Sequence, residues 1–131
     1  MADSLETICN EVLKNANAIK IGKNVDLQYE VADMKAWANL GLYFSNKLRA
    51  AVEYKRYSTS KDKKDLDKAI DWLTKATTNW SSLVAVTTPV YKPVELTHFC
   101  ENEEEAKDQD FHWSIVEKQV IDELNWLKSL K

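Results

Sequence analysis

Glycine and proline are scarce, two of each in 131 residues. So few chain breakers exclude the many tight turns that a β-sandwich or barrel needs and favour a few long helices. Two glycines are also too few for a Gly-rich phosphate loop, and no Gly-x-Ser-x-Gly nucleophile motif occurs. Cysteine is equally sparse: Cys9 and Cys100 cannot build a dense disulfide framework, and with nothing in the sequence to bring them together both read as unpaired thiols. There is no excess of positive charge, the net charge being −3, which argues against a nucleic-acid-binding face. The basic run at Lys61, Lys63 and Lys64 is interleaved with Asp62, Asp65 and Asp67 and reads as a solvated helix start. No apolar run approaches the ~20 residues of a membrane span. The opening Met1-Ala2-Asp3-Ser4-Leu5-Glu6 lacks the basic and then apolar order of an export signal.

What the sequence does contain is apolar spacing of three and four, in four segments. The first spans about Ser4 to Ile19, with Leu5, Ile8, Val12, Ala16 and Ile19 on one stripe, Asp3 or Ser4 as its cap and Gly22 marking its exit. The second and longest runs from a cap at Asp26 to about Tyr57 and carries two stripes. Leu27, Val31, Met34, Ala38, Gly41, Ser45, Leu48 and Val52 form one, and Trp37, Leu40, Phe44, Ala51 and Tyr54 the other. A helix apolar on two sides is expected at the centre of a bundle. Gly41 costs about 1 kcal/mol against alanine in a helix, so close packing is expected there. Ser58 to Asp62 form the next break. The third helix, about Lys63 to Val86, buries Leu66, Ile70, Leu73, Thr77, Trp80 and Val84 and is stopped by Pro89 and Pro93. Residues 90–112 read as a long irregular connection, with an acidic run from Glu101 to Glu105 and room for a helical turn near Glu103–Lys107. The last helix, about Ser114 to Leu130, opens on a Ser114–Glu117 capping box. These segments make one all-α domain over 1–131, an antiparallel bundle of about four helices with a long loop before the last.

Chemistry-bearing residues are thin. His98, Cys100, Glu101, Asp110 and His112 are the best ligand cluster, but their spacing matches no paired Cys or His zinc pattern, so they read as loop residues and no metal is expected. No Glu-x-x-His motif occurs, and Glu30 and Asp33, which share a helical face, read as surface ion-pairing groups. No catalytic residue and no cofactor are expected. Among the five tryptophans, Trp37 and Trp80 fall on faces expected to be buried. Trp72 and Trp126 lie beside their helices' main stripes, where an aromatic ring packs at the bundle edge or stacks on a sugar or partner protein.

The stretch from Glu30 to Ala51 is distinctive, with Asp33, then Leu40-Gly41-Leu42-Tyr43-Phe44, then Lys47-Leu48-Arg49-Ala50. It resembles the C-terminal helical domain of large bacterial glycoside-hydrolase-like proteins, including α-glucuronidase-like ones. The likeness continues through Leu66–Leu73 and Ala76–Trp80 and into the aromatic turn Phe111-His112-Trp113. The acidic stretch 101–110 departs from that pattern. The resemblance implies a non-catalytic accessory or structural domain of a carbohydrate-active protein, the cleaving carboxylates residing in a separate domain. The implied partners are that catalytic domain of the same parent chain or a polysaccharide, and the implied parent protein is exported or periplasmic. Asp33, Lys47 and Arg49 would then be contacts at a polar edge of the second helix, set against their role in an ion-pair network. The alternative is a stand-alone helical module that binds a protein through one face, which an exposed apolar patch would favour.

Overall fold

Leucine, alanine and charged residues at helical spacing fold into an all-α bundle. The computed structural model describes residues 1–95 and 110–131. His98, Cys100, the acidic run and the helical turn expected near Glu103–Lys107 lie outside the described residues. The described elements are α1 (Ala2–Ala18), α2 (Val25–Ser60), α3 (Lys63–Thr87), β1 (Val94–Glu95), β2 (Asp110–Phe111) and α4 (Trp113–Lys128). The two short strands pair antiparallel, Val94 opposite Phe111 and Glu95 opposite Asp110. They give regular structure to the ends of the segment expected to be irregular.

The helix ends follow from local side chains. Asn24, not Asp26, caps α2 by accepting from the Leu27 amide at 3.0 Å, two residues earlier than the sequence suggested. At its other end α2 continues to Ser60, and Lys61 in left-handed geometry (φ 57°) returns its amide to the Tyr57 carbonyl at 2.8 Å. Asp62 caps α3 on the Lys64 amide at 2.9 Å. The Ser114–Glu117 capping box does not form. His112 caps α4 through Nδ1, which accepts from the Ser114 amide at 3.2 Å, while Glu117 accepts from the Ser81 hydroxyl at 2.8 Å. α1 begins at Ala2, so its cap position falls on Met1, which makes no side-chain cap; the expected cap Asp3 lies inside the first turn and pairs with Arg49.

Antiparallel packing is visible in the cross-links between neighbours. From Ala2 to Cys9, α1 meets α2 at Ser45 and then Gly41. Along α3 and α4, Trp80 donates to the Trp113 carbonyl at 3.2 Å while Lys131, just past the end of α4, reaches Asp67 at 2.7 Å. α2 lies between α1 and α3, and two separate apolar clusters flank it. The larger one joins Ala36, Tyr43 and Ala50 to Leu66, Leu73, Trp80 and Leu83 of α3 and to Val120, Leu124 and Leu127 of α4. The smaller one holds only Cys9, Ala38 and Leu42, with Leu5, Val12 and Leu13 packed against it. Gly41 sits at the α1 crossing, where a Cβ would overlap Cys9 Sγ. This is the close approach that a helical glycine implied.

The central position of α2 is as expected, but the burial of its stripes is not. Val31, Ala38 and Ser45 are buried, whereas Met34, Leu48 and Val52 of the same stripe are exposed. On the other stripe Trp37 is 70% exposed, correcting its assignment to the core, and Phe44 is exposed as well. The reason is steric. α2 turns its small residues, Ala32, Ala36, Ala38 and Ala50, toward its neighbours, letting helices approach closely, and this rotates its large side chains outward. Trp80 is 6% exposed, in the core as expected.

Candidate functional site

Two features on one side of α2 are candidates for contact with another molecule. The first is the outward face itself. Trp37, Phe44, Leu48 and Val52 are between 46% and 70% exposed and recur along the helix at intervals of seven, four and four. Met34 joins them at the N-terminal side, and exposed Glu30 and Lys55 bracket the row. Scattered single apolar side chains on a surface are ordinary, but a row of five on one helix is a patch.

The second is a cleft of about 260 Å³ at the N-terminal end of that face, walled by Asp33, Trp37, Tyr91, Phe111, His112 and Trp113. α2 supplies the first two, the exit of α3 supplies Tyr91, and β2 with the start of α4 supplies the rest. Phe111 and Trp113 meet edge to face, 5.1 Å between centroids, and Trp113 in turn abuts Trp80 at 5.8 Å, so the wall is anchored in the core. The Tyr91 hydroxyl donates to the Asp33 carboxylate. That bond, followed by burial, pushes the Tyr91 phenol up to about 12. His112 is buried, and its Nδ1 also meets the Ser114 hydroxyl at 2.7 Å. With Nδ1 accepting from the Ser114 amide, the neutral ring carries its proton on Nε2, and that nitrogen is buried without a hydrogen-bond partner among the described residues.

The other residues singled out in the sequence do not converge on this cleft. Lys47 binds Glu123 at 2.7 Å and the Tyr43 hydroxyl at 2.9 Å. Burial lowers its ammonium pKa, but the two hydrogen bonds outweigh this and leave the pKa raised. Arg49 is directed to the other side of α2. It donates to Asp3 at 2.5 Å, Glu6 at 2.6 Å and the Ser45 hydroxyl at 3.0 Å, tying α1 to α2. The hydrogen bond from Arg49 holds the Asp3 carboxyl below its ordinary value. Trp72 is flanked by two cations, the Arg49 guanidinium 4.9 Å and the Lys75 ammonium 4.1 Å from its ring centroid. Trp126 is half exposed at the edge of a shallow groove of about 240 Å³ between α2 and α4, its ring 5.6 Å from that of Tyr54.

Comparison with protein-family models, with curated proteins and with solved structures finds no match for this chain. The likeness to α-glucuronidase-like proteins therefore rests on the residues quoted for it. Among the described residues, no three His, Cys, Asp or Glu side chains come together as a metal-binding group, and no helix is long and apolar enough to cross a membrane.

Sequence reasoning missed the partners more than the residues. Glu123, Asp3, Glu6 and Tyr91 are ordinary polar residues in the sequence and gain meaning only from the way α1, α4 and the exit of α3 pack against α2. The exposed row carried a usable signal. Trp37, Phe44 and Ala51 are seven apart and form a stripe separate from the alanine-rich one.

Proposed function

We propose that this chain is a non-catalytic helical docking module whose outward α2 face receives an apolar surface of a partner protein. One observation carries the reading: Trp37, Phe44, Leu48 and Val52 stand exposed in a single row on the longest helix. Large aromatic and aliphatic side chains held on a rigid helix lose little conformational freedom when covered, so they make effective anchors. The row has the three–four spacing that fits another helix. Lys47 and Arg49, the cations expected as contacts at the polar edge of α2, are already occupied in ion pairs within the domain. Selection of helical peptides on the immobilised protein tests the reading. The selected binders should lose affinity at least tenfold for Phe44→Glu and Leu48→Glu; equal binding to both variants overturns it.

A second reading, the accessory domain of a carbohydrate-active protein, is favoured by the cleft. An exposed Trp37 indole beside the Asp33 carboxylate offers a flat apolar platform with a hydrogen-bond acceptor, the pairing a sugar ring uses. On this reading the partner is a polysaccharide or the catalytic domain of the same parent chain. A polysaccharide array followed by calorimetry tests it. Binding should be lost in both Trp37→Ala and Asp33→Asn, and a blank array counts against it.

A further inference from the structure

The cleft at the N-terminal end of α2 is lined by four aromatic side chains of separate origin. Trp37 comes from α2, Tyr91 from the exit of α3, Phe111 from β2 and Trp113 from the start of α4. Asp33 is the only carboxylate among the described lining residues, and the remainder is apolar apart from Lys92 and His112. We propose that this cleft binds a quaternary ammonium group, the trimethylammonium head of a choline-like molecule or of an N-methylated lysine. The proposal goes beyond the docking reading and makes no use of Phe44, Leu48 or Val52. It gives the cleft a ligand class other than the sugar of the second reading.

Size, charge and hydrogen-bonding capacity together select this class. At about 260 Å³ the cleft is smaller than the roughly 300–1,000 Å³ that holds a drug-sized ligand, so it takes a head group. Aromatic ring faces carry negative potential and attract a cation held within about 6 Å of the centroid. The fixed charge agrees. Asp33 is half-buried at the wall, and exposed Glu30 stands one turn before it on α2. The Asp33 hydrogen bond and burial push the Tyr91 phenol up, and the charges of Asp33 and Glu30 add to this, so the potential beside the ring is negative. Negative potential favours a cation over a neutral sugar of the same size. A primary ammonium is strongly hydrated and brings three donors. The cleft offers it one carboxylate, already accepting from the Tyr91 hydroxyl. A trimethylammonium group has no N–H and meets the rings through its methyl groups, so it leaves no donor unsatisfied. Neither cleft nitrogen opposes it. His112 Nε2 is closed to solvent and does not open onto the space a ligand fills. Lys92 is exposed, and its flexible stem lets the ammonium turn out to water.

Ligand-observed nuclear magnetic resonance of the N-methyl protons tests this with the intact chain, using tetramethylammonium and choline chlorides at constant ionic strength. Both cations should bind with a dissociation constant on the order of 1 mM or tighter. The uncharged isostere of choline, in which carbon replaces the nitrogen, should bind at least tenfold more weakly. That comparison uses the wild-type chain and depends on no variant. Trp37→Ala should weaken choline binding at least tenfold and Asp33→Asn at least threefold, with helical circular dichroism unchanged. Lys92→Gln, which removes a like charge from the rim, should strengthen it. A peptide carrying trimethyllysine, set against choline, identifies the source of the head group. Tighter binding of the peptide assigns it to a protein, and tighter binding of choline assigns it to a small molecule. Equal affinity for the uncharged isostere overturns the proposal and leaves an apolar cleft without cation preference. A methyl glycoside that binds where neither cation does refutes the proposal and keeps the accessory-domain reading. Binding of neither class refutes both and leaves the docking reading standing on Phe44 and Leu48.

Discussion

Replacing Gly41 with alanine should destabilise this protein, against the usual behaviour of a glycine inside a helix. An unobstructed Gly→Ala change in a helix interior gains about 1 kcal/mol. Here the new methyl group would overlap Cys9 Sγ, and Leu5 Cδ1 stands 3.4 Å away on the same side. Cys9 is buried, so its sulfur has little room to swing aside. Overpacking of this kind costs ~1–3 kcal/mol, which leaves a net loss of up to about 2 kcal/mol after the helix-propensity gain. Cys9→Ala alone should cost about 1 kcal/mol for the buried thiol it removes. In the double variant the alanine methyl occupies the space the sulfur left. The two changes should therefore couple favourably by ~1–3 kcal/mol. Urea denaturation followed by circular dichroism measures all four proteins, and unchanged slopes would confirm that only stability has moved. In heating experiments each kcal/mol should appear as a shift of about 3–5 °C. A Gly41→Ala protein about 1 kcal/mol more stable than wild type, or a coupling energy of zero, would refute the close approach of α1 and α2.

The two tryptophans on α2 and α3 should separate widely: Trp80→Ala should cost ~3–5 kcal/mol in chemical denaturation, while Trp37→Ala should stay within about 0.5 kcal/mol. Because Arg49 depresses the Asp3 carboxyl, that pair stabilises the fold above the ordinary carboxylate value of 3.8 and its contribution fades as pH falls from there through the depressed value. Thermal melts of Arg49→Gln should accordingly show a lower midpoint at neutral pH and a flatter decline in acid than wild type. In an alkaline ultraviolet titration, the difference between wild type and Tyr91→Phe should show one phenol ionising near 12, and Asp33→Asn should move it toward the ordinary value of 10.

The number, order and approximate extent of the described helices were legible because three–four spacing and a handful of turn residues decide them. Asp62, Pro89 and the Ser58–Asp62 break all stand where the chain stops or restarts. Caps were read less well. Asn24 and His112, each two residues before the expected Asp26 and Ser114, cap the helices by accepting from the Leu27 and Ser114 amides. Which side of α2 is buried was the largest error, since apolar periodicity records that a face is apolar and not what covers it. Alanines at 32, 36, 38 and 50 gave the neighbours a closer fit than Trp37 or Phe44 would have allowed. The cleft was only partly legible. Asp33 and the Phe111–Trp113 turn were singled out in the sequence, but Tyr91 joins them only because α3 ends where it does.

The division of the interior into two clusters has a kinetic corollary. α1 is held by a small cluster of apolar side chains and by the Arg49 and Ser45 bonds near its start, whereas α2, α3 and α4 share the large cluster. Such a peripheral helix can peel away while the remaining three stay assembled, at a free energy well below that of complete unfolding. Its amides should therefore exchange with solvent deuterium sooner than those around Leu66, Ala69 and Leu83. Each such excursion uncovers Ala38, Gly41 and Leu42, briefly widening the apolar surface along the longest helix.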